Sequence, residues 1–330
     1  MDRRAFLGLA APATVGALYA PAAVAANWAG PDVRRIEEAL AAFRRLPGRT
    51  SYVLQVRPSG RPWRTVHKPN ARLFVGSAIK TFILTKYLQD VEAGRLSEAD
   101  QRTIDDAVRS LSSPVFLNLA GTTPARSVLE AMITHSDNTA TDMALSQVGP
   151  DRVRAFLERA GLTTAQIPDS TRMMISYFAG APYGVDVGWA GMQQIADGKL
   201  FGRSRSPMND RETMKCSADQ FVTYYERALA GRYFKTDAAL TEFKRIQAMA
   251  DAISRVVPAG IAAYAKGGSV EWDGFNAVCL PGQMVIGTTV PATFCFTYNW
   301  NGPESTIPEH MANFGAALAS VLQRTAEAFG

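Results

Sequence analysis

Apolar residues recur at helical spacing between positions 31 and 46, at Val33, Ile36, Leu40 and Phe43, with Pro31 placed to open a helix. The period then changes. Residues 51–56 (Ser-Tyr-Val-Leu-Gln-Val) read as a strand, Pro58-Ser59-Gly60 as a turn, and 64–67 as a returning strand. From Gly76 to about Leu162 the pattern predicts helices throughout, with Pro and Gly falling between the apolar-periodic runs. Residues 163–214 differ: Gly, Pro, Ser and Asp are frequent, and only short helical pieces are expected. Helices return over 218–229 and 240–253. Four successive strands are then predicted over 262–268, 274–280, 283–287 and 292–298. A closing helix over 308–328 carries Met311, Phe314, Leu318 and Leu322 on its apolar face.

Helix and strands at the start thus answer strands and helix at the end, with a helical block between them. This predicts an α/β (α+β) fold: one antiparallel sheet completed by both termini and flanked by the N- and C-terminal helices, plus an inserted all-helical lobe. The expected division puts residues 26–70 and 258–330 in the α/β lobe and 71–257 in the helical lobe, with a site in the cleft between them. Composition adds exclusions. With 330 residues, 47% hydrophobic and 20% charged, the chain is neither disordered, collagen-like nor coiled-coil. The net charge of +5 is spread rather than concentrated, which argues against a nucleic-acid partner. His67, His135 and His310 are too scattered for a His-built metal centre. Three cysteines make no disulfide scaffold, although Cys279 and Cys295 would pair if their strands are neighbours, leaving Cys216 over.

Residues 1–25 read as an export signal: a basic start at Arg3-Arg4, Phe6-Leu7 behind it, an apolar run, and Ala23-Val24-Ala25 at the end. The paired arginines resemble the twin-arginine signal, so the export machinery of that route is an expected partner. The mature chain, 26–330, is expected to be a periplasmic or secreted monomer without a membrane span.

Three short motifs carry the candidate chemistry. Ser77-Ala78-Ile79-Lys80 is the chain's only S-x-x-K, at the start of a helical pattern, where Lys80 is one turn from the Ser77 hydroxyl. A serine is a poor nucleophile until a base takes its proton, and a lysine serves only if burial or nearby positive charge lowers its pKa. Ser136-Asp137-Asn138 lies between two helical runs, and Lys266-Gly267-Gly268-Ser269 in a strand after the helical block.

Together, in this order, these motifs resemble those of the class A serine β-lactamases and their penicillin-binding relatives: S-x-x-K, S-D-N and K-T-G. The run from Ala131 to Ala140 and the following Gly149-Pro150, Val153, Phe156 and Leu157 are also similar to that family. The resemblance implies the following roles. Ser77 attacks a lactam carbonyl, Lys80 takes or relays the proton, and Ser136 passes a proton to the leaving nitrogen. Lys266 attracts the substrate carboxylate, Asn138 binds the acylamide side chain, and the N–H groups of Ser77 and Ser269 form the oxyanion hole. No metal or cofactor is implied. The substrate would be a β-lactam; a cell-wall peptide or ester is the alternative, in a D,D-peptidase, an esterase, or a penicillin-binding protein that acylates without turnover.

The sequence departs from the family pattern twice. Gly267 stands where a Thr or Ser is usual, with Ser269 as the expected substitute hydroxyl. The loop that normally supplies a deacylating Glu lacks E-x-x-L-N. Its carboxylates are Glu212, Asp169, Asp186, Asp197 and Asp210, with Glu212 the leading candidate base.

Overall fold

The computed structural model describes residues 32–330; the expected export segment, 1–25, and residues 26–31, with Pro31 expected to open the first helix, lie outside the described residues. Six strands form the main sheet: β1 (Arg49–Val56), β2 (Trp63–His67), β3 (Ala262–Ala265), β4 (Gly268–Trp272), β5 (Phe275–Ile286) and β6 (Val290–Asn301). Their order is β2-β1-β6-β5-β3, β4 also pairs with β5, and every pairing is antiparallel.

Both faces of this sheet are covered, which is why its central strands read as almost unbroken apolar runs. Successive side chains point to opposite faces. Tyr52, Leu54, Phe294, Phe296 and Tyr298 enter a core with the first helix (Arg34–Arg44) and the last (Ile307–Phe329). Val53, Ala277, Cys279 and Cys295 enter the other core, with helices from the middle of the chain.

Three expectations are corrected. The strands expected over 274–280 and 283–287 are one twelve-residue strand, because Pro281-Gly282 continues straight in register with β6. Instead the proline interrupts the opposite edge. Ala265 pairs with Gly282 and Gly268 with Cys279 in one register, so β3 and β4 are a single run along β5. At Pro281 the carbonyl still accepts from Lys266 N (3.3 Å), but no N–H is there to return the bond. Second, the stretch from 76 to 162 is not helical throughout. Between the helices Lys80–Glu92 and Ala125–Thr134 the chain makes a two-stranded ribbon, Gln101–Ile104 with Gly121–Pro124. Gly94, at φ +69, ends the first helix, and the ribbon's own burial is slight, so no apolar period marks it. Third, the helix expected over 240–253 is divided into Asp237–Gln247 and Ile253–Val256. Among the described residues no helix is long and apolar enough to cross a membrane.

Candidate active site

Ser77 sits in a 3₁₀ turn, Gly76–Ile79, rather than in the α-helix that begins at Lys80. The approach to this turn is pinned from the sheet. Buried Asn299 of β6 accepts from Phe74 N through Oδ1 (2.9 Å) and donates from Nδ2 to Phe74 O (2.9 Å), as a neighbouring strand would. Two glycines then let β4 run against the turn. Gly76 has φ +54, and a Cβ there would lie 2.7 Å from Ser269 N. A Cβ on Gly268 would lie 2.2 Å from Val75 O and 2.5 Å from Ser77 N. These approaches are closer than any side chain permits, so the Ser77 and Ser269 amides reach the same contact only because both positions are glycine.

Lys80 is fully buried beneath Ser77. Its Nζ donates to Ser136 O (2.7 Å) and Asn138 Oδ1 (2.7 Å), with longer contacts to Ser136 Oγ and Asp137 O, both 3.4 Å. Burial, and then the charge of Lys266, push its pKa well below the usual lysine value. No hydrogen bond joins Lys80 Nζ to Ser77 Oγ, contrary to the expectation from helical spacing; a carbonyl and an amide oxygen hold the amine instead. A neutral amine has two N–H bonds for these two acceptors and keeps a lone pair for an incoming proton.

Ser136 reaches Lys80 through an uncommon backbone. At φ +59 it reverses the chain after the Ala125–Thr134 helix. Asp137, fully buried, fixes this reversal. Its Oδ1 caps the Asn138–Val148 helix at Ala140 N (2.8 Å), and Oδ2 accepts from Val115 N and Phe116 N (both 2.9 Å). Asn138 has both amide atoms engaged, Oδ1 with Lys80 and Nδ2 with Leu111 O (3.0 Å). It therefore orients the lysine, a role not foreseen from sequence.

Lys266 is 2% exposed, and burial lowers its pKa to about 8. Its Nζ donates to Gly267 O at 2.7 Å. With Ser136, Ser269 and Arg255 it lines a cavity of about 450 Å³ that runs toward the last helix. A Cβ on Gly267 would come 3.2 Å from Ala252 Cβ, so the place of the missing hydroxyl is already crowded. Ser77, Ser136, Asn138 and Ser269 line an adjoining cleft of about 540 Å³. The six marked residues are thus brought together, four on the cleft, Lys80 below it and Lys266 on its continuation.

A family model, that of the beta-lactamase enzyme family, matches residues 34–278. The chain belongs to this family. Membership makes it a hydrolase of the beta-lactamase kind, and the solved structures agree in fold. The beta-lactamase from Sphaerobacter thermophilus is 18% identical with a TM-score of 0.66, covering 91% of this chain and 98% of its own. That from Xanthomonas campestris pv. campestris is also 18% identical, at TM-score 0.68, covering 90% and 100%. The chromosome-encoded beta-lactamase of Vibrio parahaemolyticus is 17% identical, at TM-score 0.65, covering 89% and 98%. No curated protein matches the chain.

Where a beta-lactamase would be expected to keep a deacylating carboxylate, four of the five loop candidates are otherwise engaged and the fifth points to solvent. Glu212 is buried, which raises its pKa, and it accepts from Asp169 N (3.1 Å); it is a brace within the loop. Asp169 pairs with Arg154, Asp186 with Arg172 and Asp210 with Lys215, while Asp197 lies exposed. None lines the cleft; the carboxylate that does is the exposed Glu271, two residues beyond Ser269 on the same face of β4. Cys279 and Cys295 stand on neighbouring strands as free thiols, sulfurs 3.9 Å apart.

Proposed function

We propose that this protein is an exported serine hydrolase that opens the ring of β-lactams through an acyl-Ser77 intermediate. The observation that carries the reading is Lys80: a buried, charge-disfavoured lysine held by Ser136 O and Asn138 Oδ1 beneath a serine that faces a cleft. In the proposed reaction the Ser77 hydroxyl gives its proton to the Lys80 amine as Oγ bonds to the lactam carbonyl carbon. The oxyanion is met by the amides of Ser77 and Ser269. The proton then passes by way of Ser136, 3.4 Å from Lys80, to the lactam nitrogen as its bond to carbon breaks. Lys266, on one cavity with Ser136, attracts an anionic group on the leaving side, while Arg255 on the same cavity pairs with Asp251 (3.8 Å).

A second reading is favoured by one observation. With Glu271 the carboxylate at the cleft, and that one exposed, no buried carboxylate on the cleft is placed to activate water against an acyl group on Ser77. This supports a long-lived adduct, as in a penicillin-binding protein or a slow D,D-peptidase. One time course separates the readings. The mature protein is mixed with a chromogenic cephalosporin, and intact mass is followed alongside colour. Continuous colour with little adduct supports turnover, and a stoichiometric burst with a stable adduct supports the second reading. In either case Ser77→Ala is expected to show no adduct; an adduct in that variant would identify another nucleophile.

A further inference from the structure

Seven large apolar side chains stand exposed among the described residues, and four of them, Tyr183, Val185, Leu200 and Phe201, fall in one loop region. The other three, Val66, Leu119 and Met249, are scattered, as single exposed apolar residues ordinarily are. The same region holds every stacking of a cation on an aromatic ring found among the described residues. Arg205 lies 4.2 Å over Tyr177, Arg211 5.2 Å over Tyr183, Lys199 5.4 Å over Phe201 and Arg109 5.9 Å over Trp189. Their number is ordinary, since roughly one such pair occurs per 70–80 residues, but their gathering in one place is not.

The exposed turns form one surface because their backbones touch. A Cβ on Gly180 would lie 2.5 Å from Gly202 C, and Phe201 N donates to Ala179 O (2.7 Å). Arg205 closes the same joint: its N donates to Phe178 O (2.9 Å), and its Nη1 to Tyr177 O (2.7 Å) and Ala181 O (2.6 Å). Tyr183 packs on Tyr177, ring centroids 6.3 Å apart, and the Phe201 ring reaches Gly191 of the Gly188–Ala196 helix. The apolar tips are thus carried on a fixed base, so little freedom is lost when they meet a partner. None of the four lines the Ser77 cleft.

The charge of this surface is one-sided. Asp186 and Asp210 are neutralised by Arg172 and Lys215, whereas Lys199, Arg203, Arg205 and Arg211 have no acidic partner among the described residues. Exposed Asp197 is the carboxylate left against them. A protein-binding surface keeps such charges out of its centre. Cations interleaved with exposed Tyr, Phe and Leu side chains suit the headgroup layer of a membrane instead, where phosphates meet the cations and the apolar tips sit just below. We propose that residues 177–211 are the face by which this protein docks on an anionic phospholipid bilayer. Tyr183, Val185, Leu200 and Phe201 enter the boundary between headgroups and acyl chains, and the exposed Lys199, Arg203 and Arg211 meet lipid phosphates. Docking is peripheral, and it does not depend on the chemistry at Ser77.

The test is co-sedimentation of the mature chain, 26–330, with sucrose-loaded vesicles of phosphatidylcholine alone or with phosphatidylglycerol added; without the export segment, its apolar run cannot contribute. Binding to the anionic vesicles is expected to be at least about ten-fold tighter than to the neutral ones, and to weaken as salt is raised. The double variant Val185→Ser, Leu200→Ser is expected to weaken it at least about five-fold. Lys199→Gln with Arg203→Gln is expected to bring it near the level of neutral vesicles. Leu119→Ser, at an exposed leucine elsewhere, is expected to stay within about two-fold. In Leu200→Trp the added emission is expected to shift to the blue with anionic vesicles, as the indole leaves water. These variants alter exposed side chains, and melting temperatures check that each is folded. No binding by the parent, parent-like binding by the double apolar variant, equal weakening by Leu119→Ser, or an unshifted tryptophan would overturn the proposal. So would a dimer in sedimentation velocity that Val185→Ser, Leu200→Ser dissolves while vesicles go unbound, which would give the face to a second copy of the chain.

Discussion

Lys266 gives the site a pH dependence whose sign can be worked out. Burial brings its pKa down to about 8 from the ordinary 10.5. Between these values the unfolded chain binds the proton that the folded protein has released, so stability rises as pH climbs from about 8 to 10.5. Attraction for an anionic substrate runs the opposite way, because the ammonium is lost over the same range. Acylation by a carboxylate-bearing lactam is therefore expected to fall above pH 8, while acylation by an uncharged p-nitrophenyl ester does not share that limb. Lys266→Met should remove the limb and slow the lactam at pH 7 by roughly ten- to a hundred-fold, the range of one charge-assisted hydrogen bond. Rates across pH 6.5–9.5 for both substrates check this; an unchanged limb in the variant would assign it to another group. The residue is marked in the sequence by its Gly-Gly neighbours, but its burial is not, since that depends on what the strand is packed against.

At the scale of elements, what spacing revealed and what it concealed divide along a physical line. Local periodicity marks the first and last helices and the strands β1 and β6 closely, because one apolar face or one period decides each. It misreads β5 as two strands, since Pro281-Gly282 looks like a turn until β6 is seen continuing past it. It is equally silent on the contact of β4 with the Ser77 turn, which joins segments almost two hundred residues apart. That contact predicts the consequence of one methyl group. Gly268→Ala places a Cβ into Val75 O and Ser77 N, backbone atoms that have no side-chain freedom with which to yield. We expect it to destabilise by about 1–3 kcal/mol, as overpacking does, and to slow acylation at least a hundred-fold as the oxyanion donors separate. Gly267→Ala is the control: its Cβ would press on the Ala252 methyl at 3.2 Å but come no nearer to backbone than Cys279 O at 4.0 Å, so acylation should stay within about three-fold. Melting temperature and adduct formation, measured on both variants, decide the matter; equal effects would mean that β4 tolerates displacement as a whole.

In the whole molecule, the sheet and the nucleophile turn are joined through Asn299. This side chain is 2% exposed and occupies a place in β6, far from Ser77 in sequence, yet its amide closes a two-point bond with the backbone of Phe74. Phe74 is at once the end of the chain's approach to Ser77 and part of the apolar floor of the cleft. Neighbouring Val75 N donates to Met214 O (2.9 Å), so the loop 163–214 is tied to the same point. Sheet, turn and loop thus share one anchor, and its loss should be felt in both stability and reaction rate. Asn299→Ala leaves a buried N–H and a buried carbonyl unpaired, at about 1–3 kcal/mol for each group, so a loss of roughly 2–4 kcal/mol is expected. Acylation of the protein that remains folded should slow as well, because Phe74 is free to drift and Ser77 follows it. Urea denaturation gives the first quantity, and mass-resolved acylation well below the unfolding midpoint gives the second. If stability falls while the folded fraction acylates at the parent rate, Asn299 is a brace for the sheet alone. If both fall, the position of the nucleophile is set from β6, and the sheet is part of the machinery that presents Ser77.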